Sequence, residues 1–189
     1  PVFEQTTRCD APTLKKARFA KGALAAKGLM YYPTEIPGSF DLAKTSRSAI
    51  RANARYITGA PIPVLGLRGI RYMGNNIRKL ARDPARAEQY LPLYLAHIVR
   101  MQEEIGTGGA GFRFMYASFL RETANKLDNE LLGEAAEILA NAGDQWRMFA
   151  LLSSKMSKGR TPMDGDRLAQ QLETCADLET QTWALLKHY

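Results

Sequence analysis

The chain has 189 residues, 46% of them hydrophobic, and a formal net charge of +7 at pH 7. That is enough apolar material for one domain, or a domain plus an appendage, with a buried core, and it excludes a disordered composition. No window approaches about 18 consecutive apolar residues and no leader pattern opens the chain, so neither a membrane span nor a secretion signal is expected, and the setting is read as cytoplasmic.

In residues 1–40, "PVFEQTT" and "GLMYYPTE" (Gly28 to Glu35) read as two short β-type runs, with a helix in "APTLKKARFAKGA" between them. Two strands without partners are not stable alone. This strand-helix-strand segment is therefore expected to belong with a missing N-terminal domain, and the absence of an initiator Met at Pro1 agrees with a fragment of something longer. Residues 41–189 are expected to form the main domain, a bundle of about six helices, so the fold class is mainly α.

Asp41 can cap a first bundle helix running to about Ile57, with Leu42, Ala49, Ile50, Ala54 and Ile57 on its apolar side. "TGAPIPV" breaks it. A second helix carries Leu67, Ile70, Ile77, Leu80 and Ala81 at helical spacing. "RDPA" restarts the chain, with Pro84 suited to a first turn. A third helix holds Tyr90, Leu91, Tyr94, Leu95, Ile98, Met101 and Ile105, kinked or delayed by Pro92. Phe112, Met115, Tyr116, Phe119, Leu120, Thr123 and Leu127 mark a fourth. Asp128 can cap a long fifth through Trp146, Phe149 and Met156, and Thr161-Pro162 starts a sixth through Leu168, Leu172, Cys175, Thr182, Trp183 and Leu186.

Between the third and fourth helices, "IGTGGAGFRF" spells G-x-G-x-x-G through Gly106, Gly108 and Gly111. A dinucleotide or kinase phosphate loop needs a strand before the glycines, and here the preceding residues are spaced as a helix. Three readings remain. Gly106 can end the third helix in a left-handed conformation, and Gly108, Gly109 and Gly111 then allow a sharp reversal. The amides of Gly109 to Phe112, at a helix N-terminus, also attract anions. Arg113, a cation unfavourably placed in a first turn, calls for a carboxylate of its own chain or for an anionic ligand. The fourth helix is expected to turn Phe112, Tyr116, Phe119 and Leu120 towards the bundle. Arg113 and Tyr116 are then expected at the edge of a cleft facing the missing domain, where Arg113 can hold a carboxylate of substrate or partner domain.

The segment "EEIGTGGAGFRFMYASFLRETA", Glu103 to Ala124, resembles the helical C-terminal domain of butirosin biosynthesis protein H-like proteins. The likeness rests on the pattern G-G-x-x-F-R-x-x-Y-x-x-F-L, met by Gly108, Gly109, Phe112, Arg113, Tyr116, Phe119 and Leu120. "TLKKARFAKGALAAKGLMYYP" resembles that family's interdomain link, and Trp146 with Arg147 fits its late-helix Trp. The resemblance implies an N-terminal papain-like cysteine-peptidase domain and a prototype that moves an aminoacyl group from a carrier-protein thioester onto an aminoglycoside amine. It also implies that the catalytic Cys and His lie outside this chain. The expected function is thus the non-catalytic helical domain of an acyltransferase or amidase of secondary metabolism, shaping the substrate cleft and supporting assembly as a possible homodimer.

Within the chain no catalytic set is expected. Cys9 and Cys175 lack CxxC or histidine neighbours, His97 stands alone in a helix at a core or boundary position, and Ser153-Ser154 has no nearby base. Trp146, Phe149 and the pair Tyr90 and Tyr94 are at core spacing, whereas Glu130, Glu134 and Glu137 read as a solvated face. No cofactor and no metal are expected.

Charge is unevenly spread. From Lys44 to Arg86 there are ten Lys/Arg and one acid, Asp83, a local +9 that leaves −2 for the other residues. Arg47, Arg51 and Arg55 recur on one helix face, and Arg71, Arg78 and Arg82 lie close to one face of the next. A solvated face explains such a run, and so does an acidic partner, such as an acyl carrier protein or the protein's own N-terminal domain. Nucleic acid fits the charge but no recognised nucleic-acid motif accompanies it. The alternative function is a stand-alone binding or regulatory module for an acidic protein, a phosphate ligand or nucleic acid.

Overall fold

Five helices start behind a short polar side chain that accepts the backbone N–H three residues on. The pairs are Asp10 with Thr13 (2.7 Å), Asp41 with Lys44 (2.9 Å), Asp83 with Arg86 (3.2 Å), Asn129 with Leu132 (3.0 Å) and Asp164 with Arg167 (2.9 Å). Each cap satisfies one of the four amides that a helix start leaves unpaired, and each contributes about 1 kcal/mol. The structure is a computed structural model that describes residues 8–22, 25, 27–36, 38–105 and 108–189. These divide into two units, Pro1–Phe40 and Asp41–Tyr189.

The first unit contains α1 (Ala11–Arg18), which buries none of its residues. Its last turn is held by Arg18, whose carbonyl accepts from the Gly28 amide at 2.9 Å and whose guanidinium donates to the Gly28 carbonyl at 2.8 Å. Gly28 to Glu35 is a turn followed by irregular chain, which corrects the second expected strand. Lys27 and Gly28 both have positive φ, and no strand partner lies among the described residues. The first expected strand, Pro1 to Thr7, lies outside them. The expected helix also stops early, at Arg18.

The second unit is helical among its described residues: α2 (Leu42–Thr58), α3 (Gly66–Ala81), α4 (Pro84–Gln89), α5 (Leu91–Val99), α6 (Arg113–Leu127), α7 (Glu130–Ser157) and α8 (Gly165–His188). The six bundle helices of the sequence reading become seven because Tyr90 to Pro92 divides α4 from α5. Proline has no N–H to continue the ladder and its ring crowds the preceding turn, so a new helix begins around it. Two starts also differ. Asp128 is the left-handed end of α6 (φ 49°), leaving Asn129 to cap α7, and α8 begins after Asp164 instead of at Thr161-Pro162.

The long pair α7 and α8 forms the centre. α6 and α5 pack on α7, while α3 and α2 pack on α8. One core cluster joins Ile50, Leu120, Leu132, Leu139, Trp183 and Leu186. The other joins Ile77, Leu91, Leu95, Trp146, Phe149, Leu168 and Leu172. Helices α3 and α8 meet closely because Gly74 faces Ala169 and Gly165 faces α3. A Cβ at Gly165 would stand 2.4 Å from the Ala81 Cβ, so only glycine fits there.

Candidate functional site

Irregular backbone is concentrated in one region of the second unit. Helix α5 runs into a π-helical turn, Arg100–Glu104, and after it Gly108, Gly109, Ala110, Gly111 and Phe112 all have positive φ. For Ala110 (φ 50°) and Phe112 (φ 71°) that conformation costs about 1–2 kcal/mol each, so the surroundings must hold it. Glu103 Oε1 accepts the Ala110 amide at 3.0 Å, and Arg113 Nη1 donates to the carbonyls of Gly111 (3.1 Å) and Ala110 (3.4 Å). The turn therefore meets one of its amides and two of its carbonyls with side chains of the same chain. The described residues before it are helical and not a strand, so it is not a nucleotide fingerprint. Gly106, expected to end the helix, lies outside the described residues.

Arg113 is bound from both sides. Its Nε and Nη2 reach Glu179 Oε1 at 3.0 and 2.9 Å, and the same oxygen accepts the Trp146 indole N–H at 2.6 Å. The guanidinium carbon lies 4.5 Å from the Trp146 ring centroid, a cation–π distance. The Glu179 side chain is only 5% exposed and that of Arg113 25%. The carboxylate that Arg113 calls for is thus its own chain's Glu179, on α8. Glu179 was not singled out in the sequence. Its signal is an acid inside the apolar stripe Leu172, Cys175, Ala176, Trp183, because a buried carboxylate demands a paired donor.

This network forms one end of a cleft of about 340 Å³ between α2 and α6, with α8 as its floor. Asn53, Ile57, Phe112, Arg113, Tyr116, Glu179 and Trp183 line it. A second, apolar hollow of about 340 Å³ shares Asn53, Phe112 and Tyr116 and adds Ala49, Met115 and Phe119. Asn53 Nδ2 donates to the Tyr116 hydroxyl at 3.2 Å across the cleft. Burial raises the Tyr116 pKa above its usual value, against the smaller opposing effect of the Asn53 hydrogen bond. The Tyr116 ring lies 5.5 Å from that of Trp183, tilted by 33°, and the buried Trp183 indole N–H has no hydrogen-bond partner among the described residues.

The inward face of α6 differs from the expected one. Ala117, Leu120, Thr123 and Ala124 are buried, whereas Phe112 (51%) and Phe119 (37%) remain exposed along the cleft. Phe112 lies in the left-handed turn before α6, so the helical phase does not reach it. Gly108 and Gly109 build the turn, and Gly109 faces Glu103.

The six arginines of the basic run separate into two groups. Arg71 pairs with Asp177 (2.6 Å), Arg78 with Asp166 (2.8 Å) and Glu173 (3.1 Å), and Arg82 with Asp166 (3.8 Å). The two carboxylates raise the Arg78 pKa, chiefly through their hydrogen bonds. Arg71 and Arg78 of α3, and Arg82 just after it, thus face acids of α8. Arg47, Arg51 and Arg55 have no carboxylate side chain against them among the described residues. Arg47 lies over the Tyr189 ring (5.4 Å) and Arg51 donates to the Tyr189 carbonyl at 3.4 Å.

Other candidates do not gather at the cleft. His97 is exposed on α5, not a core or boundary residue, and Tyr90 is half-exposed (52%), stacked on Tyr94 at 5.8 Å, in place of the expected core position. Trp146 and Phe149 are buried, as is Ser153. Among the described residues no cluster of three His, Cys, Asp or Glu could hold a metal, and no helix is long and apolar enough to cross a membrane. Cys9 is exposed and Cys175 buried, both as free thiols. Burial, with the nearby Glu179 charge, pushes the Cys175 thiol up to about 12. One thiol per chain is expected to react with a disulfide reagent at pH 8 in the native state, and two in denaturant. Fast labelling of both in the native state would contradict this burial. Because the unfolded thiol ionises near 9.0, the stability due to neutral Cys175 is complete below that pH and is lost as pH rises from there towards 12.

No curated protein and no solved structure matches the chain. The model of one family, described as a domain of unknown function (DUF4872), matches residues 12–186, and the chain belongs to that family.

Proposed function

We propose that this chain is the non-catalytic helical domain of a cysteine-peptidase-fold acyltransferase or amidase of the butirosin biosynthesis protein H type, acting in secondary metabolism. The cleft between α2 and α6 forms one wall of the substrate site and supports assembly with the catalytic domain. An acidic acyl carrier protein and a second copy of the chain are the further partners of this reading. The family assignment names no activity. The observation that carries the proposal is the turn before α6. Two non-glycine residues are held at positive φ by Glu103 and Arg113, and Phe112 is thereby left half-exposed at the cleft. Backbone strain of this kind clusters at sites that bind or switch. The turn and α6 also carry the residues on which the resemblance rests.

The reading frame that encodes the chain is the first test. A cysteine- and histidine-containing peptidase-like domain in the same frame is expected, and a frame without one overturns the proposal. In that complete protein, Phe112→Gly relieves a left-handed strain of about 1–2 kcal/mol but removes an aromatic wall. Thermal stability should be equal or higher, while kcat/KM for an acyl thioester probe falls about tenfold, the loss expected when a positioning contact goes. Unchanged turnover, with stability unchanged or raised, would leave the cleft without a role in the reaction. The rival reading, a stand-alone module for an acidic or phosphate-bearing ligand, draws on the α2 arginines that lack carboxylate partners.

A further inference from the structure

We infer that the exposed arginine-bearing flank of α2 is a docking surface for an acidic helix of another protein, gripped by Arg47, Arg51 and Arg55. This goes beyond the proposed role of the cleft and does not depend on it, because the two use different sides of α2. Asn53 faces Tyr116 of α6 across the cleft, whereas Arg47 and Arg51 face Tyr189.

Three observations support the inference. The first is the contrast between neighbouring helices. Arg71 and Arg78 of α3, and Arg82 just after it, are each met by a carboxylate of α8. None of the α2 row is met by a carboxylate side chain among the described residues, and all three are exposed. A like-charged row on one face is unfavourable at four-residue spacing, and among the described residues it is met only by Tyr189, whose ring lies under Arg47 and whose carbonyl accepts from Arg51. The second is position. α2 buries only Ser46, Ile50 and Ala54 and packs on α8 and α3, and each arginine follows one of these buried residues by one position, so the row runs exposed along the flank of the packed stripe. The third is geometry. Residues four apart on a helix are about 6 Å apart along its axis, so the guanidinium row repeats at the spacing of carboxylates placed four apart on a partner helix. Each planar guanidinium can take a carboxylate through paired hydrogen bonds.

Duplex nucleic acid fits less well. It presents a charge about every 1.7 Å of axis and is gripped by many cations at once. The α2 row spans only about 12 Å, and Arg71, Arg78 and Arg82, which follow it in sequence, already face carboxylates of α8.

The test uses the whole chain and three probes: a helical peptide with Glu at three positions spaced by four, the same peptide with Gln in their place, and a DNA duplex of similar length. Binding is read by amide chemical-shift mapping and titration. The Glu peptide is expected to shift resonances of residues 44–55 and to bind about tenfold or more tighter than the Gln peptide, as follows from three exposed ion pairs. Affinity should drop as salt rises from about 0.05 M to about 0.3 M, since exposed pairs are screened. Charge reversal at all three arginines should abolish binding. Because Arg47 and Arg51 also touch Tyr189, the single variant Arg55→Glu, which breaks no side-chain hydrogen bond or ion pair among the described residues, should alone weaken it several-fold. Equal binding of the two peptides, no binding of the Glu peptide, or an unaffected Arg55→Glu variant overturns the proposal. Tighter binding of the duplex than of the Glu peptide overturns it in favour of a nucleic-acid surface.

Discussion

Arg113→Ala should lose about 3–5 kcal/mol of unfolding free energy, the cost of breaking a buried ion pair from one side. The Glu179 side chain is 5% exposed, and Arg113 is its cationic partner through two nitrogens. Without Arg113, Glu179 keeps the Trp146 indole N–H at 2.6 Å as its hydrogen-bond donor. The same substitution frees the carbonyls of Ala110 and Gly111, so the left-handed turn loses a restraint that opposes its strain. Arg113→Lys separates the contributions. It keeps the charge but not the planar fork, and a smaller loss of about 1–2 kcal/mol is expected, the scale of one or two charge-assisted hydrogen bonds. Urea unfolding followed by tryptophan fluorescence reads both variants, with Trp146 in direct contact with the network. A loss below about 1 kcal/mol for Arg113→Ala, the range of exposed pairs, would mean that the pair does not hold the turn.

Phe149→Ala should cost a similar amount, about 3–5 kcal/mol, by a different mechanism. Phe149 is completely buried, in the core cluster with Trp146, Leu91, Leu95 and Leu172. Its ring meets that of Trp146 edge-on, with centroids 6.0 Å apart at 90°, an arrangement worth about 0.5–1.5 kcal/mol beyond area burial. Removing it leaves a cavity behind the indole that donates to Glu179. The loss should therefore couple to that of Arg113→Ala, since both substitutions loosen one network. A double-mutant cycle by urea unfolding checks this. Strict additivity within about 0.5 kcal/mol, the limit for independent sites, would show that the core does not position Trp146.

These two residues stand differently in the sequence. Phe149 sits on the stripe of Ala142, Trp146, Phe149 and Met156, and three- and four-residue steps alone mark it as core. Arg113 was conspicuous only as a cation in a first helical turn, a conflict with the helix dipole that says a partner exists but not which one. An anionic ligand and a carboxylate of the chain satisfy it equally well at the level of sequence. Glu179, 66 residues away, becomes its partner only when α6 and α8 are brought together around α7.

What the sequence by itself determined is local. The helical stripes, the cap Asp41, the restart at Pro84, the interruption near Pro92 and the reversal at Gly108, Gly109 and Gly111 all follow from backbone preferences and periodicity within a few residues. Tertiary structure decided whatever depends on which faces meet. It paired Arg71 and Arg78 with α8 and left Arg47, Arg51 and Arg55 without carboxylate side chains among the described residues. It kept Phe112 and Phe119 beside an open cleft while burying Leu120. It also left Gly28 to Glu35 without a strand partner among the described residues. The physical reason is that a hydrophobic stripe specifies that a face is to be covered, whereas the charges and aromatic rings at its margins are neutralised or exposed according to the helix that covers it.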